Sequence, residues 1–483
     1  METVPELYEH FLRVKARRDL VESTWRECYE YALPQSEGLF SGLSSSTNKL
    51  FDGTAPDSVD QLAASMLSEL MPPWSKWFDL TVGSDVVGDE AAQVMPALEQ
   101  ISDTIQAHFD HSGLSVEIHQ CFLDLITVGT ACLLFEESAI GEKSAFHFTA
   151  VPISELYADE GYSGRLDTVF RYSHMPLSIL TKRFPQVPVQ NDKKETKIAV
   201  VEAILPAKKG GYDYIVFVPE DPDRVLGVEK CAVIQKGFFA TAPLLVFRWL
   251  KAAGEIYGRS PVMKALPDIK TANKVVELIL KNATIAVTGI WQAEDDGVLN
   301  PANIRLTPGA IIPKAVGSKG LTPLEAAGNF DISQLVLNDL RSRIRHALLV
   351  DKLGQLSENN PMTATEVIER SQDMVRVLGA TYGRLQTELL NPLLERAISI
   401  LKRRGEIPEL YIDGRLIDVQ YKSPLARQQQ AADAQSALDW ITNVSKLGAE
   451  ASSCVNVQAF VRWLAQQLNV PMELLNNPIQ CVE

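Results

Sequence analysis

Over the first part of the chain the apolar positions fall at helical spacing. Leu7, Phe11, Val14, Val21, Trp25 and Tyr29 make one stripe that Pro34 closes, so residues 5–33 are predicted to form a helix. Gly38 to Thr47 is rich in Gly and Ser and reads as an exposed loop. A second helix is expected over 56–70, stopped by Met71-Pro72-Pro73 because proline cannot continue one. Helical periodicity returns across 90–135. From 145 to 250 the pattern changes to short β-type runs. Lys197 to Leu205 and Tyr212 to Val218 flank the turn residues Lys208-Lys209-Gly210-Gly211 and predict a hairpin. Phe238 to Leu250 reads as another strand region, and the polar stretch Pro185 to Thr196 as a surface insertion.

In the second half the periods lengthen. Residues 262–286 predict a helix of roughly 37 Å. Residues 287–329 are punctuated by turn residues, among them Asp295-Asp296-Gly297, Asn300-Pro301 and Thr307-Pro308-Gly309. Ile332, Leu337, Leu340, Ile344 and Leu348 then place a helical stripe on 330–350. After the polar stretch 351–361, Thr363 and Glu366 form a capping box for a helix running to about Arg404, with a kink expected at Pro392. That helix would span roughly 60 Å, against an average of about 11–12 residues per helix. Such a length suits an elongated subunit that packs on neighbours. Residues 425–475 read as two Gln/Ala-rich helices broken near Gly448 to Ser453. The expected class is α+β, mainly helical.

Composition narrows the function. A chain of 483 residues exceeds what one hydrophobic core organises, so two or more packed units are expected. The net charge of −15 argues against a protein that coats nucleic acid by neutralising phosphates. The six cysteines, Cys28, Cys121, Cys132, Cys231, Cys454 and Cys481, have neither disulfide nor C-x-x-C metal spacing. Met1 to Arg13 carries acids and no apolar core of a secretory signal. No apolar run is long enough to span a membrane; the richest, Val275 to Ile290, is broken by Glu277, Lys281 and Asn282.

The search for catalytic motifs is negative. Gly317-Ser318-Lys319-Gly320 lacks the spacing of a phosphate loop, and no zinc-protease helix, nucleophile elbow or dinucleotide fingerprint occurs. Ser46-Thr47-Asn48-Lys49 fits a short S-x-x-K pattern that chance supplies in a chain this long. His108, His111 and His119 with Asp110 could offer zinc ligands, but Gly113 interrupts their helix, and surface histidines are the simpler reading. No cofactor and no metal are expected. Lys270, Lys274 and Lys281 share one helical face with Glu277. They make either an ordinary solvated face with Lys–Glu pairs or the lining of a passage for a polyanion. Arg341, Arg343 and Arg345 cannot all point one way from a helix and are candidates for pairing with acids on a neighbouring subunit.

Three segments carry a resemblance. Phe51-Asp52-Gly53-Thr54-Ala55-Pro56-Asp57, with Leu62-Ala63-Ala64 and Leu70-Met71-Pro72-Pro73-Trp74-Ser75-Lys76-Trp77-Phe78-Asp79-Leu80, resembles the N-terminal signature of portal proteins (head-to-tail connectors) of short-tailed bacteriophages. Gly254-Glu255-Ile256-Tyr257-Gly258-Arg259-Ser260-Pro261 is similar to that family's approach to its stem. Asn360-Pro361-Met362-Thr363-Ala364-Thr365-Glu366-Val367 resembles the start of its long helix. The three occur in the family's order, and the likeness covers roughly 5–425.

The resemblance implies a portal fold in a ring of twelve subunits around a DNA channel at one capsid vertex. It implies residues 1–260 as the N-terminal part of a wing, 261–286 and 330–350 as stem helices, and 287–329 as a clip. Residues 351–362 become a tunnel loop, 363–424 the long kinked helix with the rest of the wing, and 425–483 a helical crown. Lys270, Lys274 and Lys281 would face DNA. Lys352, Gly354, Gln355, Ser357, Asn359 and Asn360 would lie in the tunnel loop, and Asp295, Asp296, Asn300, Lys314 and Lys319 in the clip contact region. Implied partners are further copies of the chain, the major capsid protein, scaffolding protein, the terminase large subunit, a tail adaptor or tail tube protein, and double-stranded DNA without sequence specificity. No membrane partner is implied. The implied location is the virion, after synthesis in the bacterial host cytoplasm. A net negative wall would repel DNA and let it slide, with force supplied by a separate ATPase. The alternatives are a soluble multidomain enzyme of unrecognised family, or another structural virion or tail protein.

Overall fold

The structure, a computed structural model, describes residues 3–34, 50–73, 75–82, 89–161, 164–187, 196–220, 226, 230–288, 291–293, 316–317, 321–323, 330–352, 379, 381–408, 417–421, 434, 436–444, 446 and 457–467. Helix α1 spans Val4–Ala32 and starts in a capping box between Thr3 and Glu6. Helix α2 (Thr54–Leu70) follows, then strand β1 (Phe78–Val82) and helix α3 (Asp89–His111). Helix α4 (Leu114–Val128) ends at Gly129, whose φ of 78° is the left-handed cap that closes a helix without Cβ strain.

The helical reading of 90–135 is corrected at this point. Residues Thr130–Glu137 form strand β2, buried along most of its length. A short apolar run buried on both sides has no period that separates helix from strand, and Gly129 decides it. Strand β2 is the centre of a three-stranded antiparallel sheet, between β3 (Phe146–Val151) and β9 (Leu244–Arg248). A second antiparallel sheet has five strands in order: β4 (Leu156–Asp159), β5 (Thr168–Pro176), β6 (Lys197–Pro206), β7 (Tyr212–Val218) and β8 (Ala232–Phe239). The β6–β7 pair is the expected hairpin. The expected strand region 238–250 divides between β8 and β9, which lie in different sheets on either side of Pro243.

The five-stranded sheet is covered on both faces. Leu7, Phe11 and Val14 of α1 pack with Phe170, Val201, Ala203 and Phe217. Helix α5 (Leu177–Arg183) brings Leu177 and Leu180 against Ile198, Val200, Val216 and Val218. The larger core joins α2, α3, α4 and the three-stranded sheet to a pair of long helices, α6 (Pro261–Thr288) and α7 (Phe330–Ala347). Of the turn-rich stretch between them, Trp291–Ala293 (β10) and Leu321–Pro323 (β11) pair antiparallel. Asp295, Asp296, Asn300, Lys314 and Lys319 lie outside the described residues, as do Gly354, Gln355, Ser357, Asn359 and Asn360. Lys352 ends a 3₁₀ turn, Val350–Lys352.

Of the long helix expected from Thr363, the described residues are helical at 379 and 381–385. A π-helical turn over Gln386–Leu390 then leads into α8 (Asn391–Arg404). Where a simple proline kink was expected, the backbone takes one extra residue just before Pro392. Strand β12 (Ile417–Tyr421) pairs with β1, and α9 (Val457–Gln467) matches the second expected C-terminal helix.

Tyr29 on α1 donates a 2.6 Å hydrogen bond to Asp124 on α4. Burial raises Asp124 to about 7 even though that bond favours the ionised form. An acid with a raised folded pKa costs stability as pH climbs from the unfolded value toward 7. Asp124→Asn keeps an acceptor for Tyr29 and is expected to raise stability at pH 7.5 by about 1–2 kcal/mol. The gain should vanish at pH 4, as read by urea unfolding at both pH values.

Candidate functional site

Two of the three resembling segments meet the long helix pair at its root; the third, 360–367, lies outside the described residues. Asp52 is buried at the start of α2 and does two things. One carboxylate oxygen accepts from the Thr54 N–H at 3.0 Å, which begins α2. The other accepts from Arg341 on α7, from Nε at 2.9 Å and from Nη2 at 2.7 Å. Asn273 on α6 completes the joint, its Oδ1 accepting from the backbone N–H of Phe51 at 2.6 Å and of Asp52 at 3.1 Å. The Phe51-Asp52-Gly53-Thr54 segment therefore ties α6 and α7 to the same two residues.

Burial acts to raise the Asp52 carboxyl. The hydrogen bonds from Thr54 and Arg341 outweigh it and hold the group below the ordinary range. Beside this joint Arg343 reaches Asp268 on α6 at 3.1 Å, while Arg345 is exposed. Arg341 and Arg343, expected as candidates for pairing with a neighbouring subunit, both find acids within their own chain, because the packing of α6 and α7 brings Asp268 and the α2 start alongside α7.

The second segment sets the angle at which α6 leaves the body. Ser260 caps α6, its hydroxyl accepting from the Met263 N–H at 2.9 Å, and Pro261 stands at the first helical position. The same hydroxyl donates to the Thr127 carbonyl at the end of α4, 2.8 Å away. Gly258 donates to Thr130 Oγ1 at 2.8 Å. A Cβ on Gly258 would fall 2.0 Å from the Gly129 carbonyl oxygen, so glycine alone permits this approach of two backbones.

The lysines divide. Lys270 is held by Glu27 of α1 at 2.6 Å and lies 5.7 Å from the Tyr31 ring centroid. Lys274 and Lys281 both bind Glu277, at 2.9 and 2.6 Å, and both are exposed. Hydrogen bonds first from Lys281 and then from Lys274 lower the Glu277 carboxyl below its ordinary value. The stripe is therefore a Lys–Glu–Lys triad with one net positive charge, plus a lysine committed to α1. His108 is likewise committed, with Glu406 2.8 Å from Nε2 and the Ala145 N–H donating to Nδ1 at 3.1 Å. Among the described residues no group of three or more His, Cys, Asp or Glu is placed to hold a metal ion. No described helix is long and apolar enough to cross a membrane.

The Asp52 joint was missed by sequence reading. Its local signal was present, an aspartate two residues before the first turn of a helix, but its partners stand 221 and 289 residues away. Asp52→Asn is expected to cost about 1.5–3 kcal/mol at pH 7. Because the folded pKa is depressed, the wild-type contribution is present above about pH 4 and lost as pH falls through the folded value. The difference between variant and wild type in urea unfolding should therefore shrink steadily below pH 4.

A family model described as bacteriophage head to tail connecting protein matches residues 4–475. A probable portal protein of Bordetella phage BPP-1 is 23% identical over 499 residues, covering 96% of this chain and 87% of the relative. The portal protein of Salmonella phage epsilon15 is 23% identical over 480 residues, covering 91% of this chain and 82% of the relative. Among solved structures, a chain from the neck of an empty GTA particle aligns with 82% of this chain and 91% of its own length, at 12% identity and a TM-score of 0.38. With the family model spanning nearly the whole sequence, this chain belongs to the bacteriophage head to tail connecting proteins.

Proposed function

We propose that this chain is a portal subunit. Twelve copies close into a ring at one capsid vertex, and double-stranded DNA passes through the ring into the procapsid and later out of it. The observation that carries the reading is the family match over 4–475, with portal relatives matched along most of their own length. The role is structural and the chain hydrolyses nothing; a terminase large subunit would dock and supply force, and a tail adaptor would follow it. Scaffolding and major capsid proteins are the other proposed partners, and the virion vertex the proposed location.

The geometry supports this reading in two ways. A conduit needs helices that resist axial load, and α6 and α7 are fixed at their root by directional hydrogen bonds rather than by apolar contact alone. It also needs cations that touch phosphates without retaining them. On this reading α6 and α7 are the stem, and Lys274 and Lys281 line the channel. Each shares Glu277, so phosphate competes with a carboxylate and every contact is weak, exchangeable and blind to sequence. The remaining proposed regions are the wing (1–260 and 363–424), the clip (287–329), the tunnel loop (351–362) and the crown (425–483).

Light scattering on the purified chain, with scaffolding protein added where assembly needs it, is expected to give about 641 kDa, twelve times the 53.4 kDa monomer. Negative-stain averages should show a central hole. A monomer or dimer that scaffolding protein cannot convert overturns the ring. Lys274→Glu with Lys281→Glu is expected to leave ring mass unchanged and cut packaged DNA by about tenfold. A normal phage yield from that variant removes both lysines from the channel.

A further inference from the structure

Arg248 closes the apolar strand β9, and its side chain is 1% exposed. A guanidinium in that position needs every donor met. Nη1 reaches Glu160 at 2.9 Å and the Ile256 carbonyl at 2.9 Å, and Nη2 donates to the Gly164 carbonyl at 3.2 Å. The remaining partner is Glu388. It accepts from Nη2 at 2.6 Å, from Nε at 3.2 and 3.3 Å, and from the Arg248 backbone N–H at 2.9 Å. Arg384, one turn earlier, adds a 3.0 Å bond to the same carboxylate.

Glu388 sits in the middle of the π turn Gln386–Leu390. The turn is closed by the Asn391 N–H, which donates to the Gln386 carbonyl five residues back. Pro392 explains why an extra residue is tolerated here. In an unbroken α-helix its ring would meet the Glu388 carbonyl four residues earlier, and it has no N–H to offer. Proline thus makes some break favourable, while the Glu388–Arg248 pair fixes which residues occupy it. Straightening the turn into regular α-helix, which removes the extra residue, would rotate the preceding helix by about 100° and shift it by about 1.5 Å relative to α8. That movement carries Glu388 away from Arg248.

We propose that the π turn is a register latch. The helical segment before Glu388 has two registers, and the Glu388–Arg248 pair selects the one seen here. Helix α8 does not take part, because it is held independently. Arg396 donates to the Phe135 and Thr241 carbonyls, each at 2.7 Å, and Asn391 is bonded to Tyr421. Slippage is therefore confined to the N-terminal side, in the chain that leads back toward residues 351–362. Only the purpose of such a latch, to relay the state of a channel loop to the body, rests on the portal reading.

Hydrogen exchange on the full chain tests it. In Glu388→Ala the amides of 381–390 are expected to exchange at least about tenfold faster, with those of 393–401 within about twofold of wild type. Glu388→Gln keeps the shape without the charge and should behave alike, which covers the case in which the alanine variant fails to fold. Adding Pro392→Ala to Glu388→Gln permits an unbroken α-helix and should return 381–390 toward wild-type protection. Unchanged exchange in the single variants, equal acceleration across 381–401 and β9, or no recovery in the double variant overturns the latch. The measurement needs neither a ring nor DNA, so ring mass reports separately on the portal reading.

Discussion

Arg396 of α8 ends on two backbone carbonyls, Phe135 in β2 and Thr241 just before β9, and its guanidinium carbon lies 5.5 and 5.2 Å from the centroids of the Phe135 and Phe239 rings. Arg248 ends on Glu388 beside the same helix. Burial lowers Arg396 to about 10, with the nearby charge of Arg403 acting the same way, so it remains a cation at neutral pH. A charge taken out of water must find its partners in one arrangement or pay several kcal/mol. The seam between α8 and the three-stranded sheet therefore has a single register, and the elements hung from that sheet inherit it. Strand β9 runs directly to the Gly258 approach and the Ser260 cap, so α6 leaves the body in a direction fixed by the same arginine-lined seam.

The five-stranded sheet is attached differently. Its contact with α1 is a cluster of aromatic and aliphatic side chains, Phe11 against Tyr157, Phe170 and Tyr172 among them. Polar ties there are peripheral, such as Arg17 and His10 on Asp159. Apolar surfaces tolerate small sliding movements better than bidentate charge pairs do. The face of the outer sheet toward α1 is thus joined by packing, while its β4 edge is also tied to the body by directional bonds, from the Ala158 N–H to Tyr257 and from Arg248 to Glu160.

What could be read from the sequence was local. α1, α2, α6 and α7 follow from periodic stripes and proline stops, and the β6–β7 hairpin from its Lys-Lys-Gly-Gly turn. β2 was read as helix because Thr130 to Phe135 is apolar at every position but the first, and a fully buried run carries no period. The π turn was reduced to a proline kink because the residue that places it, Glu388, takes its partner from a strand 140 positions away. An arginine ending the run Leu244-Leu245-Val246-Phe247 was the available signal that a carboxylate had to arrive from elsewhere. The Lys274–Glu277–Lys281 pairing is the Lys–Glu alternative that spacing along α6 offered, while the partner of Lys270, Glu27 on α1, lay beyond what that spacing can say.

These two scales bear on how an acidic chain could guide DNA. On the proposed reading, a net charge of −15 per copy would keep the polyanion off the wall as a whole. Free lysines at regular spacing would undo that by capturing phosphates. Sharing one carboxylate between Lys274 and Lys281, one on each oxygen, leaves a residual charge of +1 on the three groups. Lys270, paired with Glu27, adds to the joint between α1 and α6. Asp52, at the root of α6 and α7, is buried and its joint is bonded through several atoms, whereas the pair proposed to meet DNA is exposed and bonded through single atoms. An exposed pair of this kind is worth little in stability, and for that reason it can be broken and remade at each passing phosphate without disturbing the helices that carry it.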